Sequence, residues 1–175
     1  QLQRMRKLSI FLVMVLIGTT IQAQSTWKSD NAHSKVGFSI THLMISEVEG
    51  SFGEFDITAT ADDNFDDASF DVEIKVASID TDNENRDNHL KSPDFFDAEK
   101  YPSITFKSTS FEKTGYKTFA LTGDLSMHGV TKSVTLEGKV NGVITDQRSQ
   151  KLKAGLKLTG TVDRLEFGVG GDTPT

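Results

Sequence analysis

Residues 68–76 read ASFDVEIKV, and this stretch decides the fold class. Its apolar residues occupy every second position from Ala68 to Val76, and polar or charged residues fill the positions between them. Successive side chains of a β-strand point to opposite faces of a sheet. The period of two therefore predicts a strand with one face in an apolar interior and the other in water.

The same alternation recurs along most of the chain after Trp27. The further alternating runs cover residues 36–40, 55–59, 104–106, 119–127, 134–140 and 156–162. Turn-forming residues separate the runs, in ADDNFDD at 61–67, EKTGYK at 112–117, MHGVTK at 127–132 and VNG at 140–142. Short strands at this spacing predict an all-β, antiparallel sandwich or barrel, and glycines inside the runs fit the bends that curl a sheet into a barrel. The pattern contains no internal repeat, linker or second domain.

One segment interrupts this pattern, and it reads RDNHLKSPDFFDAEKYPSITF at 86–106. Asp82 is predicted to cap the N-terminus of a short helix that Pro93 stops. The Phe95–Phe96 pair that follows does not alternate. We expect this segment to plug one end of a barrel, with one or both rings inserted into the apolar interior.

The first 23 residues are predicted to be a secretory signal peptide. Basic residues flank Met5, the expected initiator, and an apolar run follows at 10–17 with Ala23 at a suitable cleavage position. The run is far shorter than the ~20 residues of a membrane helix, so we expect no stable membrane span after cleavage. The mature domain is then predicted to comprise residues 24–175.

The charge of the chain disfavours polyanionic partners. Loss of residues 1–23 removes three basic residues and no acidic one, which takes the formal net charge from −6 to about −9. Nucleic acids and anionic membrane surfaces both require clustered Lys and Arg. The chain also has no cysteine, which excludes thiol catalysis and Cys-based metal sites.

No motif in the sequence demands an enzyme or a metal. The four histidines show no ligand spacing, although ligands converging from separate strands stay open as an alternative. The glycines of GVGG at 168–171 have no helix after them to complete a phosphate site. Arg86, Asp87 and His89 could form an acid–base cluster, but we favour a structural role in which Arg86 bridges to a carboxylate or to carbonyls at the barrel mouth. We predict no catalytic residue, no metal and no cofactor.

The aromatic residues leave two interpretations open. The chain has twelve phenylalanines, several of them in strand runs. They could form a packed core, or they could line a cavity, because barrels of about eight strands are wide enough to hold one small or elongated apolar ligand.

Four longer stretches resemble the YceI-like family of exported bacterial proteins. They are HSKVGFSITHLMISEVEGSFGEF at 33–55, RDNHLKSPDFFDAEKYPSITF at 86–106, LTGDLSMHGVTKSVTL at 121–136 and DRLEFGVGG at 163–171. The resemblance implies a lipocalin-like β-barrel that binds a polyisoprenoid, such as an isoprenoid quinone or polyprenyl lipid, or a similar elongated amphiphile. It also implies carriage or storage of that ligand in the cell envelope, in the periplasm or alternatively outside the cell.

The resemblance also implies which residues contact the ligand. The expected walls of the pocket are Val36, Phe38, Ile40, Phe55, Ile57, Phe70, Val72, Ile74, Phe106, Leu121, Leu125 and Leu136. Four more residues are expected near one end: His42, Leu43, Phe95 and Phe96. The candidates for contact with a polar head group are His42, Arg86 and His89.

The sequence departs from the family pattern at its C-terminus. The family continues past the FGVGG region into a final strand, whereas this chain stops at Thr175, so we expect a barrel truncated before its last strand. Exposed barrel edges could pair two copies into a homodimer. Two other functions stay open: an enzyme that uses His42, His89 or Arg86 on a bound isoprenoid, and a structural, stress-responsive envelope protein with a packed core.

Overall fold

The computed structural model describes residues 24–42 and 46–171, with the side chains of His42 and Ser46 outside the description. The predicted signal peptide and Leu43 also lie outside the described residues. Within the described part of the chain there are ten strands and one α-helix: β1 Ser25–Lys28, β2 Val36–His42, β3 Ser46–Phe52, β4 Phe55–Ala61, β5 Ala68–Lys75, β6 Ile79–Asp80, α1 Glu84–Lys91, β7 Ser103–Gly115, β8 Thr118–Met127, β9 Val130–Thr145 and β10 Leu152–Thr159.

Seven of the strands form one antiparallel sheet in the order β1-β4-β5-β7-β8-β9-β10. The last four of these strands are consecutive in the chain and pair as a meander. The sheet curls into a half-barrel whose inner face carries the apolar side chains of the alternating runs. The predicted all-β antiparallel fold is therefore confirmed, in the form of a half-barrel.

The other three strands form a separate small sheet in the order β2-β3-β6. β2 pairs with β3 along its whole length, and β3 pairs with β6 at its end, where Phe52 lies opposite Ile79. Phe52 and Ile79 are both buried. This small sheet therefore contributes to the interior as well as to the surface.

The apolar interior divides into two clusters. The distal cluster contains Ala59, Ala61, Phe65, Ala68, Phe70, Phe106, Phe119, Leu121 and Val140. The plug-end cluster contains Phe52, Val76, Ile79, Ile104, Met127, Phe167 and Val169. The half-buried side chains of Leu125 and Val134 pack against both clusters, so the apolar surface is continuous from one end of the half-barrel to the other.

The packing of Phe119 depends on a glycine in the neighbouring strand. Phe119 lies opposite Gly138 in the β8–β9 register, and a Cβ atom at position 138 would overlap the Phe119 ring. The absence of a side chain thus makes the space that this buried ring occupies.

The segment that interrupts the alternation does form a helix followed by turns. The helix α1 ends at Lys91, before Pro93, as predicted. The predicted cap at Asp82 is wrong, because the side chain of Asn83 accepts the hydrogen bond from the backbone N–H of Arg86. Asp82 instead has a positive φ of 59°, which turns the chain so that Asn83 is extended and can cap the helix.

Two other local predictions are wrong, both near the C-terminal strands. VNG at 140–142 is not a turn but lies inside β9, which continues to Thr145. The register of β10 shifts between Gly155 and Leu156, opposite this stretch, so a bulge accommodates the bend. Val162, predicted as part of a strand run, is exposed and lies after the end of β10 at Thr159.

Candidate functional site

The inner face of the half-barrel gathers most of the side chains that were predicted to contact a ligand. Four of them are buried: Phe55, Phe70, Phe106 and Leu121. Ten are half-buried: Val36, Phe38, Ile40, Ile57, Val72, Ile74, Phe95, Phe96, Leu125 and Leu136. For the remaining two, His42 and Leu43, the structure describes no side chain.

These residues fall into the two clusters rather than into one ring. Phe70, Phe106, Leu121, Ile57, Val72 and Leu136 belong to the distal cluster or pack against it. Val36, Phe38, Ile74, Phe95 and Phe96 pack against the plug-end cluster. Leu125 belongs to the boundary between the two, whereas Phe55 and Ile40 are in neither cluster.

Strand pairing arranges part of this face into one straight row across five strands. Ile57 lies opposite Val72, Val72 opposite Phe106 and Phe106 opposite Leu125. The next residue in the row is Lys132 of β9, which lies opposite Leu125. An apolar row therefore ends in a cation on the same face of the sheet.

The ammonium group of Lys132 has a partner outside the sheet. Its Nζ atom donates a hydrogen bond of 3.2 Å to Oε2 of Glu166, in the 3-10 turn Arg164–Phe167. Sequence reasoning missed Lys132, although its spacing of two residues from Val134 and Val130 places all three on one face. The pair ties the turn to the rim of the sheet.

Further contacts hold the turn that follows β10 against the β8–β9 hairpin. The Nδ1 atom of His128 lies 3.2 Å from the carbonyl oxygen of Phe167, which can accept its hydrogen bond. The His128 ring also packs edge-on against Tyr101, with centroids 4.7 Å apart. The glycines of GVGG at 168–171 thus directly follow a 3-10 turn that makes a structural contact with the β8–β9 hairpin. Among the described residues, no helix follows these glycines.

The plug, residues 82–102, closes the same end of the half-barrel. The Phe96 ring packs edge-on against Phe52 of β3, and Phe95 packs against the ring of His89 with centroids 4.9 Å apart. The guanidinium of Arg164 lies 6.0 Å from the Phe95 centroid. The prediction that these two phenylalanines reach the apolar interior at one end is confirmed.

Two of the residues expected to contact a head group are engaged in holding the plug. Arg86 donates from Nε to Oγ1 of Thr81 at 2.7 Å and from Nη2 to the Thr81 carbonyl at 2.6 Å. The Thr81 hydroxyl in turn donates to Oδ1 of Asp87 at 2.6 Å. Arg86 therefore has the predicted structural role, bridging to a carbonyl. His89 lies 3.3 Å from Oδ2 of Asp94, which accepts its hydrogen bond.

Among the pockets on the surface of the described chain, two bear on the candidate site. One, of about 270 Å³, has a mainly polar lining that includes Asn31, Glu54, Glu73 and Lys75, with Phe55 at its wall. Glu73 accepts a hydrogen bond from Lys75 and a second one from Ser103. Both lower the pKa of its carboxyl group, and Lys75 has the larger effect. The other pocket, of about 390 Å³, lies at the end of the half-barrel away from the plug, and none of the predicted ligand-binding residues lines it.

Neither metal ligands nor a membrane-spanning helix stands out in the described residues. No group of three or more His, Asp or Glu side chains in residues 24–42 and 46–171 is arranged to hold a metal ion. Over the same residues, no helix has the length and apolar character needed to cross a membrane.

Comparison with known proteins places the chain in a family. The family model described as the YceI-like domain matches residues 27–174. A UPF0312 protein of Pseudomonas savastanoi is 36% identical over 169 residues, which cover 96% of this chain and 88% of the relative. A UPF0312 protein of Staphylococcus aureus is 38% identical over 141 residues, or 80% of each chain. The crystal structure of a YceI protein of Campylobacter jejuni superimposes with a TM-score of 0.69 at 38% identity, covering 81% of this chain and 83% of that one. By sequence and by fold, this chain belongs to the YceI-like family.

Proposed function

We propose that the inner face of the half-barrel binds an isoprenoid lipid, such as an isoprenoid quinone or polyprenyl lipid, or a similar elongated amphiphile. The observation that carries the proposal is the continuous apolar surface formed by the two clusters and by Leu125 and Val134 between them. Each buried CH₂ group contributes roughly 0.8 kcal/mol, so a chain of several isoprene units gains enough from burial alone to bind without polar contacts.

The half-buried state of the inner face supports this proposal. Side chains such as Ile57, Val72 and Leu136 lie on the inner face of the sheet and yet retain contact with solvent. A bound hydrocarbon chain would cover this apolar surface, which is the driving force for association. Membership of the YceI-like family is consistent with such a ligand.

The biological role that we propose is carriage or storage of this lipid in the cell envelope, after export to the periplasm. The protein would perform no chemistry on its ligand. The engagement of Arg86 with Thr81 and of His89 with Asp94 favours a structural role for both residues over a catalytic one.

The test is native mass spectrometry of the protein purified without detergent after export in a bacterium, followed by organic extraction. We expect a discrete added mass that extracts as a prenyl lipid or quinone. A bare protein mass that stays unchanged after incubation with prenyl quinones would contradict the proposal and favour a filled, structural core.

A pair of variants on β9 sharpens this test. Val134→Trp puts a large side chain on the inner face, whereas Ser133→Trp puts the same side chain on the outer face. We expect the first variant to lose the added mass and the second to keep it. Equal uptake by both variants would place the ligand elsewhere on the protein.

A further inference from the structure

The pocket of about 390 Å³ at the end away from the plug has the hydrophobic core as its floor. It lies between the 61–67 loop and the β7–β8 hairpin. Its lining includes Phe65, Phe119 and Val140, which are members of the distal cluster and at most 5% exposed. An apolar chain that enters this pocket would therefore meet the inner face of the half-barrel directly.

The rim of the pocket carries two lysines. Nζ of Lys113 is paired with Oδ1 of Asp66 at 2.5 Å. Nζ of Lys117 lies 5.5 Å from the centroid of the Tyr116 ring, and among the described residues it makes no ion pair. Asp66, Lys113 and Lys117, the charged residues of the lining, sum to one positive charge, and the rest of the 61–67 loop adds the carboxylates of Asp62, Asp63 and Asp67.

The backbone fixes Lys117 beside the apolar floor. The carbonyl oxygen of Lys117 accepts a hydrogen bond of 2.8 Å from the backbone N–H of Val140. The hairpin tip is therefore attached to β9 at a residue of the pocket floor. Tyr116 is 91% exposed at this tip, so its ring is available to cover a ligand at the pocket mouth.

Two cations at the opposite end of the half-barrel are already engaged. Lys132 is paired with Glu166, and Arg86 of the plug is bound to Thr81. A negatively charged group that bound beside either of them would have to displace its partner. At the pocket mouth it would meet Lys117 without displacing a carboxylate.

We propose that this pocket is the entrance to the lipid-binding face and holds the head group of an anionic amphiphile, a phosphate or a carboxylate, against Lys117 and beside the Lys113–Asp66 pair. The inference rests on the proposed lipid-binding function and specifies the end at which the ligand enters and the charge of its head. The Lys117 ammonium group donates charge-assisted hydrogen bonds to the anion, and the tail extends past Phe119 and Val140 along the inner face.

The test is isothermal titration calorimetry with two ligands that share one tail, farnesyl phosphate and farnesol. We expect the wild-type protein to bind farnesyl phosphate more tightly, by about three- to tenfold, as a partly exposed ion pair would contribute. Raising the salt concentration from 50 to 500 mM should remove most of this preference, because salt screens exposed charges, and should leave farnesol binding unchanged.

Four Lys→Gln variants locate the head group. Lys117→Gln and Lys113→Gln should each reduce the preference for farnesyl phosphate, with farnesol binding and the melting temperature unchanged. Lys157→Gln removes the same charge from the outer face of β10 and is the matched control. Lys132→Gln removes the inner-face cation at the plug end.

The outcomes separate the two proposals. Equal binding of both ligands by the wild type, or a loss of preference in Lys132→Gln with none in Lys117→Gln, would overturn the head-group site and leave the proposed lipid-binding function intact. Failure of the wild type to bind either ligand would overturn the proposed function, and the head-group site with it.

Discussion

The ring of Phe96 meets the ring of Phe52 edge-on, with centroids 6.3 Å apart and an angle of 82° between the planes. Phe96 belongs to the plug, and Phe52 is a buried residue of β3 in the small sheet. This contact joins two parts of the protein that share no strand pairing, so the plug is held by side-chain packing at this point.

Replacing Phe96 with alanine should therefore destabilise the protein. A fully buried Phe→Ala change costs roughly 3–5 kcal/mol, and since Phe96 is half-buried we expect about 2 kcal/mol. Urea unfolding followed by the fluorescence of Trp27, the single tryptophan, measures this change. Tyr116→Ala removes an aromatic ring that is 91% exposed and should change the free energy of unfolding by less than about 0.5 kcal/mol. Equal effects of the two substitutions would contradict the packing role of Phe96.

Gly138→Ala should be destabilising for the opposite reason, because it adds an atom where the Phe119 ring already lies. Overpacking of this kind typically costs about 1–3 kcal/mol. The double variant Gly138→Ala with Phe119→Leu removes the overlap and should be less destabilised than the sum of the two single variants. Additive losses in thermal melts would show that the two positions do not compete for the same space.

The arrangement of the inner face could be predicted from the sequence because alternation alone decides which side of a strand is apolar. Phe70, Phe106 and Leu121 were expected on the inner face, and all three are buried there. Lys132 was missed because a charged residue interrupts the apolar series, although the backbone still points it inward. An alternating pattern predicts which positions are apolar. It does not predict a cation that lies on the apolar face and has its partner in another segment of the chain.

The pocket at the end away from the plug could not be predicted from any single stretch. Phe65, Tyr116 and Val140 come from three segments, and only the strand order brings them together.

The incorrect prediction of a turn at residues 140–142 has a related cause. Asn-Gly is a strong turn signal in isolation, but here pairing with β10 across a bulge keeps the chain extended through it.

Asp146 should make the stability of the protein depend on pH in the acidic range. Its carboxylate accepts hydrogen bonds from Lys153 Nζ at 2.9 Å and from the Ser149 N–H at 2.7 Å, and these lower its pKa far below the ordinary value of 3.8. A carboxyl group whose pKa is lower in the folded state than in the unfolded state stabilises the folded protein at pH values above the ordinary pKa. This contribution is lost as the pH falls towards the pKa of the folded state.

The variant Asp146→Asn should accordingly melt at a lower temperature than the wild type at pH 7. The difference should be constant down to about pH 5 and should shrink as the pH falls further. Thermal melts between about pH 7 and 2.5 measure it, with Asp63→Asn at an exposed position of the 61–67 loop as control. A difference that grows on acidification would show that the carboxylate has the opposite effect.

Arg86→Lys should loosen the plug while preserving the charge. A lysine cannot donate to both the hydroxyl and the carbonyl of Thr81 in the way that the guanidinium does. Because Thr81 is buried, we expect a loss of about 1–2 kcal/mol and faster hydrogen exchange of the α1 amides. Asn88→Lys on the exposed side of the same helix is the control. Unchanged exchange in Arg86→Lys would mean that the bridge does not hold the helix.

The meander of β7 to β10 has a consequence for how the chain folds. Gly115 pairs with Thr118 and Met127 with Val130, so β7, β8 and β9 come together by closing loops of two residues, and β10 joins β9 by closing a loop of six residues between Thr145 and Leu152. In contrast, β1 pairs with β4 only when Ser25 meets Ala61, which is far from it in the sequence. Closing a short loop loses less conformational entropy, and local pairings form faster. The meander is therefore the expected folding nucleus, and β1 is expected to join the sheet after β4 and β5 have assembled on it.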